Sequence, residues 1–194
     1  MKENREAVKI IRDLLLKELV LPSTYGVDES TGEIVPSVYI VSPDVSLGIT
    51  DKLQIAISSI SSSILGSNST YKEQDGLFCE LKDIAISDTI QIDIMSRNTD
   101  ARIRRFEVIA ALQSAYAKQL QEEWGCRIFQ IPRNMTNVSS AEGSATIYRY
   151  SATIVVHYCL RYVNGIDYYD AFNFNGVFDS VESSFKVDGA QLNL

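Results

Sequence analysis

The sequence predicts an α+β fold, because apolar residues recur at helical spacing in two regions and alternate with polar residues in several others. Near the start of the chain, Val8, Ile11, Leu15 and Leu19 are three and four residues apart. In the middle, IQIDIMSRNTDARIRRFEVI (90–109) changes from the two-residue period of a strand to the period of a helix. Ten Tyr, seven Phe and only four Pro also favour sheet. Helices and a sheet are therefore both expected.

Composition and charge narrow the classes of protein to which the chain can belong. A chain of 194 residues, with 45% apolar and 22% charged residues, suits one globular domain that can bury a continuous core. The net charge is −7 and there is no basic block, so the molecule should repel a phosphate backbone. Tight DNA binding is not expected.

The first residues and the cysteines bear on the compartment. MKENREAVKIIRDLLLKELVL has charges throughout, so we predict neither a signal peptide nor a membrane span there. Cys79, Cys126 and Cys159 are odd in number, far apart and not in CxxC spacing, which indicates reduced thiols in a cytoplasmic setting.

The predicted elements of the first half begin with an amphipathic helix over residues 4–20 that Pro22 ends. A loop over 22–36 leads to a short strand, SVYIV. The next strand, LQIAISSISSSIL (53–65), drifts into serine and suggests a bulge. GSNSTYKEQDG is predicted to be a turn. One or two strands follow over 77–95.

The second half is predicted to start with one main helix of about seven turns that ends near Trp124. Its N-cap would come from Asn98, Thr99 or Asp100, and its C-cap from Gly125. CRIFQI is a predicted short strand, and PRNMTNVSSAEGS is a predicted loop.

The longest alternation, TIYRYSATIVVHYCLRY, would span about 55 Å at roughly 3.3 Å per residue, so part of it is expected to project as a hairpin. FNFNGVF then predicts an edge strand or an arm. We therefore predict a single domain over 1–170 and a C-terminal extension or arm over 171–194.

The sequence predicts no catalytic residue, no metal site and no cofactor. His157 is the only histidine and lies mid-strand, where a structural role is expected. Cys159 shares its face, but a Cys/His pair along one strand lacks the opposed geometry of nucleophilic catalysis. The nucleophile-elbow, zinc-protease, dinucleotide and P-loop motifs are all absent.

One enzymatic alternative is a metal-dependent nuclease. Asp44, Glu80 and Lys82 near adjacent strands would hold Mg²⁺ and position a water molecule. An ExK triplet is frequent by chance, and its competing interpretation is a solvated strand face.

Three arginines open the main helix, where the macrodipole disfavours cations unless a carboxylate compensates. One interpretation is a solvated first turn. The other is an ion pair with an acidic surface of a neighbouring subunit, such as that formed by Glu122 and Glu123. Tyr148 and Tyr150 are predicted to pack rather than to stack on bases. The candidate subunit-interface residues are Arg102, Arg104, Arg105, Glu122, Glu123, Tyr148 and Tyr150.

The polar corner between strand and helix raises the question of an active site. Asp93 and Asp100 flank it, but no histidine or second strand-borne acid is close to them in sequence. We interpret the corner as a joint that caps the helix and turns its arginines toward a neighbour.

The order of these elements resembles the tail terminator or neck proteins of tailed bacteriophages. IQIDIMSRNTDARIRRFEVIAALQSAYAKQL is similar to the centre of that family, and YRYSATIVVHYCLRY is similar to its closing strand. The resemblance covers roughly residues 4–165. It consists of patterns without invariant chemistry, and the last residues depart from a minimal member of the family.

The resemblance implies helices packed on a mainly antiparallel sheet and a hexameric ring in the virion neck, assembled in the host cytoplasm. The ring would cap the tail tube, end its polymerisation and join it to the head connector, without catalysis and without a membrane. Implied partners are further copies of the chain, the tail tube protein and a head connector or adaptor protein, with the tail sheath as a further candidate. DNA would pass through the ring without specific binding. The alternatives are a tail tube or connector adaptor protein and the nuclease above.

Overall fold

The computed structural model describes residues 6–27, 32, 34–41, 51–74, 77–142, 145–165, 171–178 and 181–188. Within these residues the chain forms three helices and eleven strands. The helices are α1 (Ala7–Glu18), α2 (Asp100–Leu112) and α3 (Ala115–Trp124). The strands are β1 (Thr24–Val27), β2 (Ile34–Pro36), β3 (Val38–Ile40), β4 (Gln54–Gln74), β5 (Leu77–Ser96), β6 (Arg127–Phe129), β7 (Thr136–Asn137), β8 (Ser140–Glu142), β9 (Ala145–Gly165), β10 (Ala171–Phe178) and β11 (Val181–Asp188).

Contacts along the chain define two compact units. The first comprises Met1–Ser67 and Asp83–Arg161, and the second comprises Asn68–Lys82 and Tyr162–Leu194. In the second unit, β10 and β11 form an antiparallel hairpin in which Ala171 is opposite Asp188 and Phe178 is opposite Val181.

The central sheet has the strand order β3-β4-β5-β9-β6, and β7 and β8 pair with other parts of β9. β3 is parallel to β4, whereas β6, β7 and β8 are antiparallel to β9. β4 and β5 are neighbours separated by only two residues of chain, so they form an antiparallel hairpin. The predicted α+β fold with a mainly antiparallel sheet is confirmed.

The core lies between the helices and one face of this sheet. The even-numbered Ile90, Ile92 and Ile94 of β5 are fully buried, as the alternation predicted. They belong to one apolar cluster with the inner face of α1, which packs on the sheet as predicted. Burying each such isoleucine or leucine contributes roughly 1.5–3 kcal/mol. The other members include Ile11, Leu14, Leu15, Ile55, Ile57, Val108, Leu112, Ile154 and Val156.

The predicted main helix is wrong in one respect, because it is divided into α2 and α3. Ser114 adopts an extended conformation between them, and its Oγ accepts a hydrogen bond from the Ala117 backbone N–H at 3.0 Å. Serine competes with the helical backbone for such bonds and so starts a new helix. Gly125 ends α3 with a left-handed φ of 65°, as predicted.

Three regions predicted to lack regular structure form strands. The predicted loop over 22–36 contains the β1–β2 hairpin. The predicted turn GSNSTYKEQDG continues β4 as far as Gln74, because pairing with β5 supplies the hydrogen bonds that its composition disfavours. The predicted loop after CRIFQI contains β7 and β8, which pair with β9.

The predicted long strand is present as β9, with 21 residues, and CRIFQI contains the predicted short strand β6. A long hairpin is formed by β4 and β5, although the sequence assigned it to β9. The division into a domain over 1–170 and an arm over 171–194 stays a prediction.

Candidate interaction site

The polar corner is a capping network that starts α2. The buried Ser96 donates its hydroxyl to the Asn98 carbonyl at 2.6 Å, and its Oγ accepts from the Ala101 N–H at 3.0 Å. The Asn98 side chain accepts from the Asp100 N–H and donates to the Asp100 carboxylate, both at 2.9 Å. These bonds satisfy amides that have no partner within the helix. Thr99 is at the N-cap position without a side-chain bond, so the capping oxygens come from Asn98, one of the predicted candidates, and from Ser96, which the sequence did not single out.

A groove of about 430 Å³ lies beside the first turns of α2. One wall comes from α2, the second from the segment that contains β7, and the third from β9. We call it the arginine groove. Its lining residues are Arg102, Arg105, Asn134, Met135, Thr136, Asn137 and Tyr150.

The pairing of β7 with β9 forms two of these walls. Asn137 is opposite Tyr150 in the antiparallel register, and Thr136 is opposite Ser151. Tyr150 is buried at the rim of the core, and the guanidinium of Arg105 lies over its ring at 5.0 Å from the centroid. Stacking of this kind holds the arginine side chain in place while its charge remains available.

The groove presents hydrogen-bond donors. The side-chain oxygens of Asn134 and Asn137 accept from the Met135 and Ser139 N–H groups, which leaves the NH₂ groups of both amides as donors. Arg105 also donates to the Arg102 carbonyl. Within the part of the chain that the structure describes, neither Arg102 nor Arg105 forms an ion pair with a carboxylate. The groove therefore suits an anionic group such as a carboxylate.

Arg104 lies outside the groove and has partners within the chain. Its Nε donates to the Glu107 carboxylate at 2.7 Å, and its Nη2 donates to the Leu19 carbonyl at 3.1 Å. The second bond ties α2 to the carbonyl-bearing end of α1, where a cation is favourable. Arg104 thus stabilises the helix packing.

The structure brings together three of the seven predicted interface residues, Arg102, Arg105 and Tyr150. Glu122 and Glu123 lie on the exposed side of α3, and Tyr148 packs against the core. The segment 134–137 completes the groove, and it was not among the candidate residues because it was predicted to be an irregular loop.

Three carboxylates of β5 are bound by side chains of β9. Asp93 accepts from Arg149 at 2.6 Å, Asp88 accepts from Tyr158 at 2.9 Å, and Asp83 accepts two bonds from Arg161 at 2.6 and 2.8 Å. The Arg161 hydrogen bond lowers the pKa of Asp83, and the same bond raises the pKa of Arg161. The residue numbers of the β9 partners increase from Arg149 to Arg161 while those of the β5 carboxylates decrease from Asp93 to Asp83. The two strands are therefore antiparallel.

Two of the three residues of the nuclease alternative lie in the part of the chain that is described. Asp44 lies outside the described residues, and Glu80 and Lys82 are part-buried on β5 in the second unit. Over the described ranges, there is no group of three His, Cys, Asp or Glu side chains that could hold a metal ion.

His157 is opposite Arg127 of β6, and its ring centroid is 4.6 Å from that of Phe129. This diagonal cross-strand packing is a structural use of the histidine. Cys159 is exposed two residues further along β9.

No protein-family model matches the chain, and no curated protein matches it either. In the described residues, no helix is both long enough and apolar enough to span a bilayer. The fold and the groove define an α+β protein with a groove lined by two arginine side chains.

Proposed function

We propose that this chain is a structural subunit that assembles with copies of itself through the arginine groove. The proposed assembly is the neck ring of a tailed bacteriophage, which caps the tail tube, ends its polymerisation and joins it to the head connector. The observation that carries the self-assembly is the groove with two cations that have no described carboxylate partner, in a chain whose net charge is −7.

Charge complementarity favours a second copy as the occupant. An acidic chain presents more carboxylates than cations to any neighbour, so an open pair of guanidinium groups is complementary to the rest of its own surface. Glu122 is exposed on α3 and is the carboxylate that we assign to the groove of the neighbouring copy. The exposed NH₂ donors of the groove would add hydrogen bonds to this ion pair.

The assignment to the phage neck is supported by the order of elements. The chain has an amphipathic helix, a strand followed by a capped corner and helices, a short strand and a 21-residue closing strand. This order resembles that of tail terminators. The partners would be the tail tube protein and a head connector or adaptor protein, with the tail sheath as a further candidate. The acidic surface would let DNA pass through a ring without binding.

The first experiment measures the solution mass of the purified chain by light scattering over a range of concentrations, followed by negative-stain images. We expect a large species with a central hole, and with purified tail tubes we expect it at tube ends. Stacks of rings without tubes would indicate a tube protein instead. A strict monomer that also fails to bind tube ends would contradict the proposal.

A charge reversal tests the groove directly. Arg105→Glu is expected to weaken association at least about tenfold, because it replaces an attraction across the interface with a repulsion. Arg97→Glu is the matched control, since Arg97 is exposed at the corner and does not line the groove. Both variants should melt at the temperature of the parent.

The pairing with Glu122 is tested by combining two reversals. Glu122→Arg alone should weaken association, and Arg105→Glu with Glu122→Arg should restore it, because the opposite charges then face each other again. If the double variant loses as much association free energy as the two single variants together, Glu122 is not the group in the groove. If Arg105→Glu associates as well as Arg97→Glu, the groove is not the interface.

A further inference from the structure

Among the described residues, no strand pairs with the outer side of β4 beyond Ile57. β3 pairs with β4 only over Ile55, Ala56 and Ile57, and the last bond is from the Val41 N–H to the Ile57 carbonyl at 2.8 Å. From 58 to 67, β5 covers one side of β4, and no strand of the described residues covers the other. This segment therefore presents a row of backbone donors and acceptors.

The composition of this edge favours pairing with another strand. SSISSSILGS (58–67) contains no charged residue and no proline, which are the usual devices that prevent edge association. Ile60, Ile64 and Leu65 are 54%, 69% and 58% exposed. A long, uncharged edge with large exposed apolar side chains is a template for strand addition.

A second edge without a pairing strand among the described residues lies at the other end of the sheet, on β9. β6 pairs with β9 through Val155, Val156 and His157, and no described strand continues that pairing over 158–161. Cys159 and Arg161 are exposed on this stretch. β4 and β9 are each antiparallel to β5, so the two edges run in the same direction at opposite ends of one sheet.

We propose that the β4 edge of one copy pairs in parallel with the β9 edge of the next copy, an inference that rests on the self-assembly proposed above. The contact joins two different surfaces, so each copy offers its β4 edge to one neighbour and its β9 edge to the other. In a closed ring, neither edge is then left exposed. The arginine groove lies on the β9 side of the subunit, because β7 and Tyr150 form its walls. The strand edge and the groove thus both lie on the β9 side of the sheet.

Side-chain direction makes the pairing testable with the native thiol. On β9, the even-numbered Ile154 and Val156 point into the core, so Cys159 lies on the opposite, open face of the sheet. On β4, Ile55 and Ile57 point into the core, so the even-numbered positions beyond Ile57 lie on the open face with Cys159 and are exposed from Ile60 onward. Odd-numbered positions lie on the helix face.

The experiment introduces single cysteines along β4 in the full chain and oxidises the assembled protein. Because a disulfide requires Cα atoms about 4.4–6.8 Å apart, at least one open-face variant should bond to Cys159 of the next copy. The open-face series is Ser58→Cys, Ile60→Cys, Ser62→Cys and Ile64→Cys. The matched controls on the other face are Ser59→Cys, Ser61→Cys and Ser63→Cys.

A ladder of crosslinked species longer than a dimer is expected for the open-face series and not for the controls. The ladder should disappear when Cys159→Ser is added to the same variant. A crosslink that yields only dimers and persists when Cys159→Ser is added would show that β4 of one copy pairs with β4 of another copy. That result would overturn the proposal. An oligomer that forms without any crosslink would overturn it too, while leaving the proposed function intact.

A charge placed on the edge provides a second measurement. Ile64→Lys should weaken association at least about tenfold, because a lysine at an edge opposes strand addition. Ile34→Lys is the matched control, since Ile34 is a comparably exposed isoleucine on β2. Equal association of the two variants would overturn the proposal, and reversal of Arg105 would still report on the groove independently.

Discussion

The Arg149 guanidinium on β9 donates from Nη2 to the Asp93 carboxylate on β5 across 2.6 Å, and this bond joins the two central strands. Asp93 is only 4% exposed, and the Gln91 amide donates to both of its oxygens at 2.9 and 3.0 Å. Both oxygens of this carboxylate, which flanks the polar corner, therefore accept hydrogen bonds. These bonds explain the burial of Asp93.

Removing the arginine should cost more stability than its exposed position suggests. Arg149→Met leaves the buried carboxylate of Asp93 with Gln91 alone, and we expect a loss of about 2 kcal/mol in the free energy of unfolding. Asp93→Asn with Arg149→Met should lose less than the two single variants together. Urea denaturation of the four proteins measures this. Additive losses would show that the two side chains do not interact.

The stability of the polar corner should depend on the hydroxyl of Ser96. Ser96→Ala removes both the acceptor for the Ala101 N–H and the donor to the Asn98 carbonyl, in a site without solvent. We expect a loss of about 2 kcal/mol, since a buried donor–acceptor pair and a helix cap are lost together. Thr99→Ala is the control, because its side chain forms no capping bond. Equal melting temperatures of the two variants would contradict this account of the corner.

The division of the main helix should also depend on a serine. Ser114→Ala removes the acceptor for the Ala117 N–H at the start of α3 and should cost about 1 kcal/mol of unfolding free energy. Ser61→Ala is the control, since Ser61 is an exposed serine outside the helices. A stabilised Ser114→Ala variant would mean that the two helices tend to merge and that the break is not required by the fold.

How far the sequence predicted the fold depended on the length of each pattern. The alternation of Ile90, Ile92 and Ile94 located a strand whose isoleucines are fully buried. The continuation of β4 through Gly66 was missed, because its small polar residues have low strand propensity and only pairing with β5 makes them a strand. The break at Ser114 was missed because apolar spacing is similar on both sides of it.

Only one wall of the arginine groove, the one from α2, could be predicted from the sequence. Arg102 and Arg105 are neighbours on one helix, so their proximity follows from helical spacing. The wall over 134–137 is remote in sequence and is brought to α2 by its pairing with β9, which no local pattern reports. Arg104 resembled its neighbours in sequence, but its bond to the Leu19 carbonyl depends on the packing of α1.

The three thiols should differ in reactivity. Cys159 is exposed, whereas Cys79 and Cys126 are buried, and burial raises the pKa of the Cys126 thiol. Since the thiolate is the reactive form, an alkylating reagent at about neutral pH should label Cys159 first. Mass spectrometry of peptides from the native protein measures the three rates, and the Cys159→Ser variant should show no fast labelling. Fast labelling of Cys126 would place it at the surface.

Alkaline pH should destabilise the protein through Tyr39. Burial raises the pKa of this phenol above its usual value, nearby Arg149 opposes the shift, and Asp93 adds to it. The folded state therefore holds the phenolic proton more tightly than the unfolded chain. Its contribution to stability is complete below about pH 10, the unfolded value, and is lost as the pH rises through the higher folded value.

Tyr39→Phe should remove this part of the pH dependence. The free energy of unfolding of the variant should fall less than that of the parent between about pH 9 and pH 11, because no phenol at position 39 is left to ionise. Tyr25→Phe is a comparison with the same expected sign, since burial also raises the pKa of Tyr25. Urea titrations across this range measure both variants. An identical slope for Tyr39→Phe and the parent would show that Tyr39 ionises equally in the folded and unfolded chain.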